Sequence, residues 1–173
     1  MNSLWFPDIP DQLNKMYDLL RKVIADIEKI KRKLSNRELK KLVLDFKRVV
    51  ETINLICIKI GAEYKVAKSY GKEMRISPEE RAEIANKIGE LTLGLPEFVE
   101  TDAMQKFLGE HPTLAEKTYI KIYGEKEDYL LEHLVADISM EGAEKDFIFY
   151  IKYIQKHASD LLSELNEAIK ASF

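Results

Sequence analysis

KIKRKLSNRELKKLVLDFKRVV, residues 29 to 50, decides what kind of helical protein this is. Apolar residues lead into it at Leu13, Met16, Leu20, Val23, Ile27, Ile30 and Leu34, in alternating steps of three and four. They continue out of it at Leu39, Leu42, Phe46, Val49, Ile53, Ile56 and Ile60, then Glu63 and Ala67. Each run is the stripe of a packed helix, a spacing no strand produces. No Gly or Pro separates the two runs, yet the register does. A continuous stripe would place its next apolar residue at 37 or 38, and those positions hold Arg37 and Glu38. Ser35 and Glu38 also fit a capping box, with Leu34 and Leu39 as its hydrophobic staple. The spacing therefore predicts a tight turn over Leu34 to Asn36 between two antiparallel helices, the second running to about Met74. At 1.5 Å per residue that second helix is a rod of roughly 55 Å.

The second helix has more apolar surface than one neighbour can cover. Val43, Val50, Cys57 and Tyr64 form another ridge at seven-residue spacing, and Leu55 and Ile58 widen it again. Such a helix is enclosed by several elements or half covered by a partner chain. A third stripe, Phe147, Ile151, Ile154, Ala158, Leu161, Leu165 and Ala168, marks a long C-terminal helix. Residues 76 to 142 between them read as four short helices. Ser77-Pro78-Glu79-Glu80 starts the first, Pro96 opens another, Thr113 and Glu116 fit a capping box, and Gly124 and Gly142 are expected stops. There is no internal repeat or low-complexity tract. The expected fold is an all-α, elongated helical bundle in one helical domain. Residues 1–75 supply an N-terminal arm and antiparallel hairpin, 76–142 a middle of short helices, and 143–173 a long helix packed along the hairpin.

The 173 residues are 46% hydrophobic and 33% charged, a soluble globular composition with enough chain for a core. The one cysteine, Cys57, excludes an intrachain disulfide, and its setting between Ile56 and Ile58 is that of a buried core thiol. The opening MNSLWFPDIP has no basic segment followed by an apolar stretch, and no run approaches the 18 apolar residues of a spanning helix. The expectation is a cytoplasmic protein with no membrane partner. A surplus of Lys, Glu and Ile with only three Gln leans towards a thermophile, although an AT-rich genome gives the same bias.

EIANKIGELTLGLPEFV, residues 83 to 99, has the outline of a helix-turn-helix. Its recognition helix would have to contain Gly94 and Pro96, and an interior Pro costs about 3 kcal/mol. Its reading face would offer Glu90, Glu97 and Glu100 to phosphates. The expectation is instead a helix ending near Leu93, a turn at Gly94 and a new helix from Pro96.

Several chemistries lack their residues. No His has a Glu three positions earlier, so the Glu-x-x-His pairs of a di-iron bundle are missing. His133 and Asp137 share a helical face, but no second pair accompanies them. All six arginines precede residue 82 and all three histidines follow residue 110, so the Arg then His spacing of helical toxin ribonucleases does not occur. No phosphate loop and no Gly-x-Ser-x-Gly is present. The reading is a non-enzymatic protein with no metal and no cofactor.

Charge supplies the candidate site. Residues 1–75 carry 17 Lys+Arg against 10 Asp+Glu, and residues 76–173 carry 10 against 20, so +7 and −10 make the net −3. The basic half is densest at the hairpin tip, at Lys29, Lys31, Arg32, Lys33, Arg37, Lys40 and Lys41. Two functions follow from this asymmetry. One is a self-associating interaction or assembly protein, a homodimer or a protein docked on a partner, with the basic half complementing the acidic half. The other is a nucleic-acid-binding protein that tracks phosphates through the tip without base readout. The tip has no interleaved aromatics to stack bases. Candidate protein-contact residues are Trp5 and Phe6 in the Pro-bounded arm, and Phe149, Tyr150 and Tyr153 in a block that is apolar nearly all round.

Overall fold

The two stripes either side of Ser35 fold as separate helices, but the first ends earlier than its stripe does. The computed structural model describes residues 8–30, 32–117 and 144–173. These form six helices, with no strand among the described residues: α1 (Ile9–Lys29), α2 (Asn36–Ser69), α3 (Pro78–Val99), α4 (Asp102–Gly109), α5 (Pro112–Lys117) and α6 (Glu144–Ser172). The fold is an all-α bundle with an N-terminal hairpin and a long C-terminal helix.

The capping box at Ser35 is formed. Ser35 Oγ accepts the Glu38 N–H at 3.2 Å and the Glu38 carboxylate accepts the Ser35 N–H at 3.1 Å. The tight turn is not. α1 stops at Lys29, Ile30 turns extended at φ −82° and ψ 118°, and the connector runs to Ser35. Arg32 holds it there by forking onto Glu38, at 2.7 and 2.9 Å. α2 also ends before Met74. Gly71 takes φ 65°, and the N–H groups of Lys72 and Gly71 reach back to the carbonyls of Ala67 and Lys68 at 2.8 and 3.0 Å. This pair of bonds closes a helix around a left-handed glycine. At 34 residues α2 is still a rod of about 51 Å.

α3 corrects the reading of the middle segment. It starts at Ser77 with its own capping box. It then runs unbroken through Gly94 and Pro96 to Val99. Gly94 makes no turn. A Cβ there would lie 3.0 Å from Leu20 Cδ2, so glycine serves the close approach of α1. Leu95 and Phe98 are buried around the proline, and the Phe98 ring stacks on Phe46 with centroids 5.4 Å apart. Packing holds the helix through a residue with no N–H to give Thr92, as tertiary context commonly overrides local preference. A helix-turn-helix needs two helices here, and there is one. α5 begins at Pro112, which places Thr113 inside the helix rather than at its cap. The expected stops at Gly124 and Gly142 lie outside the described residues.

α1 and α3 run parallel, since Asn14 meets Lys87 at 2.8 Å and Arg21 meets Glu97 at 2.6 Å. α6 runs antiparallel to α2: Lys68 bonds Glu144 at the start of α6, and Cys57 lies near Tyr150. The other end of α6 is held by α4 and α5. There Phe107 stacks on Phe173, His111 meets Ser172 Oγ at 2.7 Å, and Lys117 meets Glu164 at 3.6 Å. One contiguous core joins all six helices. The second ridge of α2 belongs to it: Val43, Val50 and Cys57 are fully buried and Tyr64 is half-buried. The extra neighbours of α2 are α1 and α6.

Candidate functional site

The hairpin tip gathers most of its predicted cations, but not as one free cluster. Arg32 is committed to Glu38. That ion pair, helped by the two Ser35 bonds, holds the Glu38 carboxyl down at about 2. Lys31 lies outside the described residues. Lys29, Lys33, Arg37, Lys40 and Lys41 are exposed and make no ion pair among the described residues. Beside them a cleft of about 780 Å³ separates the connector from the α3–α4 junction. Ile27, Ile30, Leu34 and Leu39 give it an apolar wall; Arg32 and Lys33 line it from the connector, and Glu97, Glu100, Asp102 and Lys106 line it from the α3–α4 side. The tip therefore meets carboxylates of its own chain, which weakens its field towards phosphate.

The outer face of α2 is the larger feature. Leu44, Leu55, Ile58 and Val66 are between 42 and 51% exposed. At 100° per residue they fall within one stripe with Ala62. Arg37, Lys40, Arg48 and Glu51 fall within that stripe, and Lys41, Lys47, Lys59 and Lys65 border it, so Glu51 is its one anion. None of these seven cations has an ion pair among the described residues, whereas Arg21, Arg32, Lys68 and Arg75 all do. The result is a basic face along about 33 Å of helix, from residue 44 to 66, whose apolar seam is unbroken from Leu55 to Val66. Reading the tip charges and the apolar ridges separately misses it. The signal was the interleaving of Leu44, Lys47, Leu55, Ile58, Lys59, Lys65 and Val66 at helical spacing.

The predicted contact residues separate. Phe149 is 57% exposed on α6. Tyr150, beside it in sequence, is fully buried and cannot meet a partner. Burial raises its hydroxyl's pKa, and the OH has no hydrogen-bond partner among the described residues. The correction follows from register, because Tyr150 lies one helical step from Phe149 and so turns into the α2–α6 seam. Tyr153 is half-buried with its ring 4.5 Å from that of His157. Trp5 and Phe6 lie outside the described residues, as do His133 and Asp137.

Burial pushes the Cys57 thiol up to about 12, so it stays protonated in the core. No group of three or more His, Cys, Asp or Glu is placed to hold a metal among the described residues, and no helix among them is long and apolar enough to cross a membrane. Glu144 and Arg81 are the buried charged residues among those described. Glu144 accepts from Lys68 Nζ at 2.8 Å and from the Met74 N–H at 2.7 Å, tying α6 to the end of α2. No family model, curated protein or solved structure matches this chain.

Proposed function

We propose that this protein is a non-enzymatic interaction or assembly protein that associates with itself, and that the outer face of α2 is its contact surface. The observation carrying this is the exposed seam of Leu44, Leu55, Ile58 and Val66 within and beside seven cations that have no ion pair among the described residues. Full burial of a large aliphatic side chain is worth about 1.5–3 kcal/mol, so four half-exposed ones offer on the order of 3–6 kcal/mol. A micromolar complex needs about 8 kcal/mol. The seam alone is too small for that, so charge has to contribute and the association is salt-sensitive. The motif spacings missing from the sequence support the non-enzymatic reading. The single free thiol supports a cytoplasmic setting.

The test is sedimentation of the full chain across micromolar to millimolar concentrations. We expect a mass above the 20.1 kDa of one chain that rises with concentration. Leu55→Glu with Ile58→Glu should return it to one chain with unchanged helicity. A constant 20.1 kDa at every concentration overturns the reading.

A second reading, phosphate contact without base readout, is supported by the five exposed cations of the tip. Glu38, Glu97, Glu100 and Asp102 beside them weigh against it, and apolar residues in the stripe would add nothing towards phosphate. Labelled duplex and single strands at low salt decide it. Binding that vanishes on Lys40→Glu with Lys41→Glu would make the tip a nucleic-acid surface.

A further inference from the structure

We infer that copies associate head to tail, the basic seam of α2 in one copy lying against an acidic stripe of α3 in the next. This rests on the self-association reading and specifies its geometry. A two-fold contact of α2 with α2 would set the seven cations of one face against the same seven of the other, with Glu51 as the sole anion on each side. Like charges brought together across an interface are disfavoured by several kcal/mol in total.

The complement is on the same chain. Glu79, Glu83, Glu90, Glu97 and Glu100 are all exposed. Their spacings of four, seven, seven and three keep them on one side of α3. Lys87 is the one cation between residues 82 and 105, and it points to Asn14 and Glu83. Glu97 is engaged by Arg21, while Glu79, Glu90 and Glu100 have no ion pair among the described residues. From residue 79 to 100 the stripe covers about 32 Å, close to the length of the α2 seam. Asn86 and the half-buried Ala82 leave room among the glutamates for branched side chains. Within one chain only the Glu97 and Glu100 end of the stripe lines the cleft beside the hairpin tip; Glu79, Glu83 and Glu90 do not line it, and Lys59 and Lys65 at the far end of the α2 seam have no ion pair among the described residues.

Charge reversal tests this. Lys59→Glu with Lys65→Glu reverses the α2 face, and Glu90→Lys with Glu100→Lys reverses the α3 stripe. These four side chains have no ion pair among the described residues, so the fold should survive, as circular dichroism checks. At low to physiological salt each double variant should associate at least tenfold more weakly than the unaltered chain. The chain carrying all four changes should recover. If the unaltered chain associates and reversing α3 leaves its concentration dependence unmoved, the head-to-tail contact is wrong while self-association stands. If the unaltered chain stays at one copy throughout, the self-association reading fails and this contact falls with it.

Discussion

Glu144 shows how much one side chain can tie together. It is buried at the first turn of α6, takes one hydrogen bond from α2 and one from the segment after it, and has Arg81 near enough to act on its charge. Burial alone would raise its pKa. Lys68, the Met74 N–H and Arg81 outweigh burial and leave it below the usual carboxylate range. The folded-state pKa is therefore lower than the unfolded one. The stabilisation is complete above the ordinary Glu pKa and is lost as pH falls through the folded value. Glu144→Gln should cost about 1–3 kcal/mol near neutral pH, the price of under-satisfying buried partners. In urea titrations the gap to the unaltered chain should stay constant above the carboxylate range and close below it. A gap that does not change with pH would show that the charge is irrelevant. None of this was legible in the sequence, because the partners lie 70 and 76 residues away and no local pattern marks them. Cys57 was legible, since its flanking isoleucines already marked it as core.

At the scale of elements, local chemistry was legible at the two serine caps and in the long stripes, but not at Thr113 or at Gly71. Both Ser-x-x-Glu boxes form as spaced, and the three long stripes are the buried faces of α1, α2 and α6. Ser35→Ala removes the acceptor for the Glu38 N–H and should cost about 1 kcal/mol, measured by thermal or urea unfolding. An unchanged midpoint would mean that the Arg32–Glu38 fork alone holds the start of α2. The misplaced boundaries have non-local or side-chain causes. α1 ends early because Arg32 folds the connector onto Glu38, although Ile30 and Leu34 continue the stripe. α3 continues through Pro96 because Gly94 lets Leu20 approach and Phe98 is held by Phe46. A glycine that looks like a turn was a close contact, and only the neighbouring helix reveals it.

For the whole molecule, the sequence already separated a basic from an acidic half. What it left open was which faces carry those charges. The seam and the glutamate stripe needed the helices assembled, because burial removes Val43, Val50, Cys57 and Tyr150 from the outside and leaves Leu55, Ile58 and Phe149 on it. Self-association couples stability to concentration, since copies bind the folded chain and not the unfolded one. The melting temperature should rise with protein concentration, by about 2–4 °C for each kcal/mol gained in a chain of this size. The rise should disappear in about 1 M salt, where charges are screened beyond roughly 3 Å. A melting temperature independent of concentration at low salt would count against any association of the folded chain.

The pairing of α2 with α6 also bears on how the chain comes into being. Lys68 and Glu144 stand 76 positions apart, so the inner side of α2 is synthesised long before the helix that covers it. At translation rates of about 5–20 residues per second, that delay is roughly 4–15 s. α1 and α2 can zip together meanwhile, as neighbouring helices do quickly, but the side of α2 that carries Cys57 must wait for Tyr150. The nascent hairpin is thus sticky on both sides for seconds, until the arrival of α6 covers its inner side.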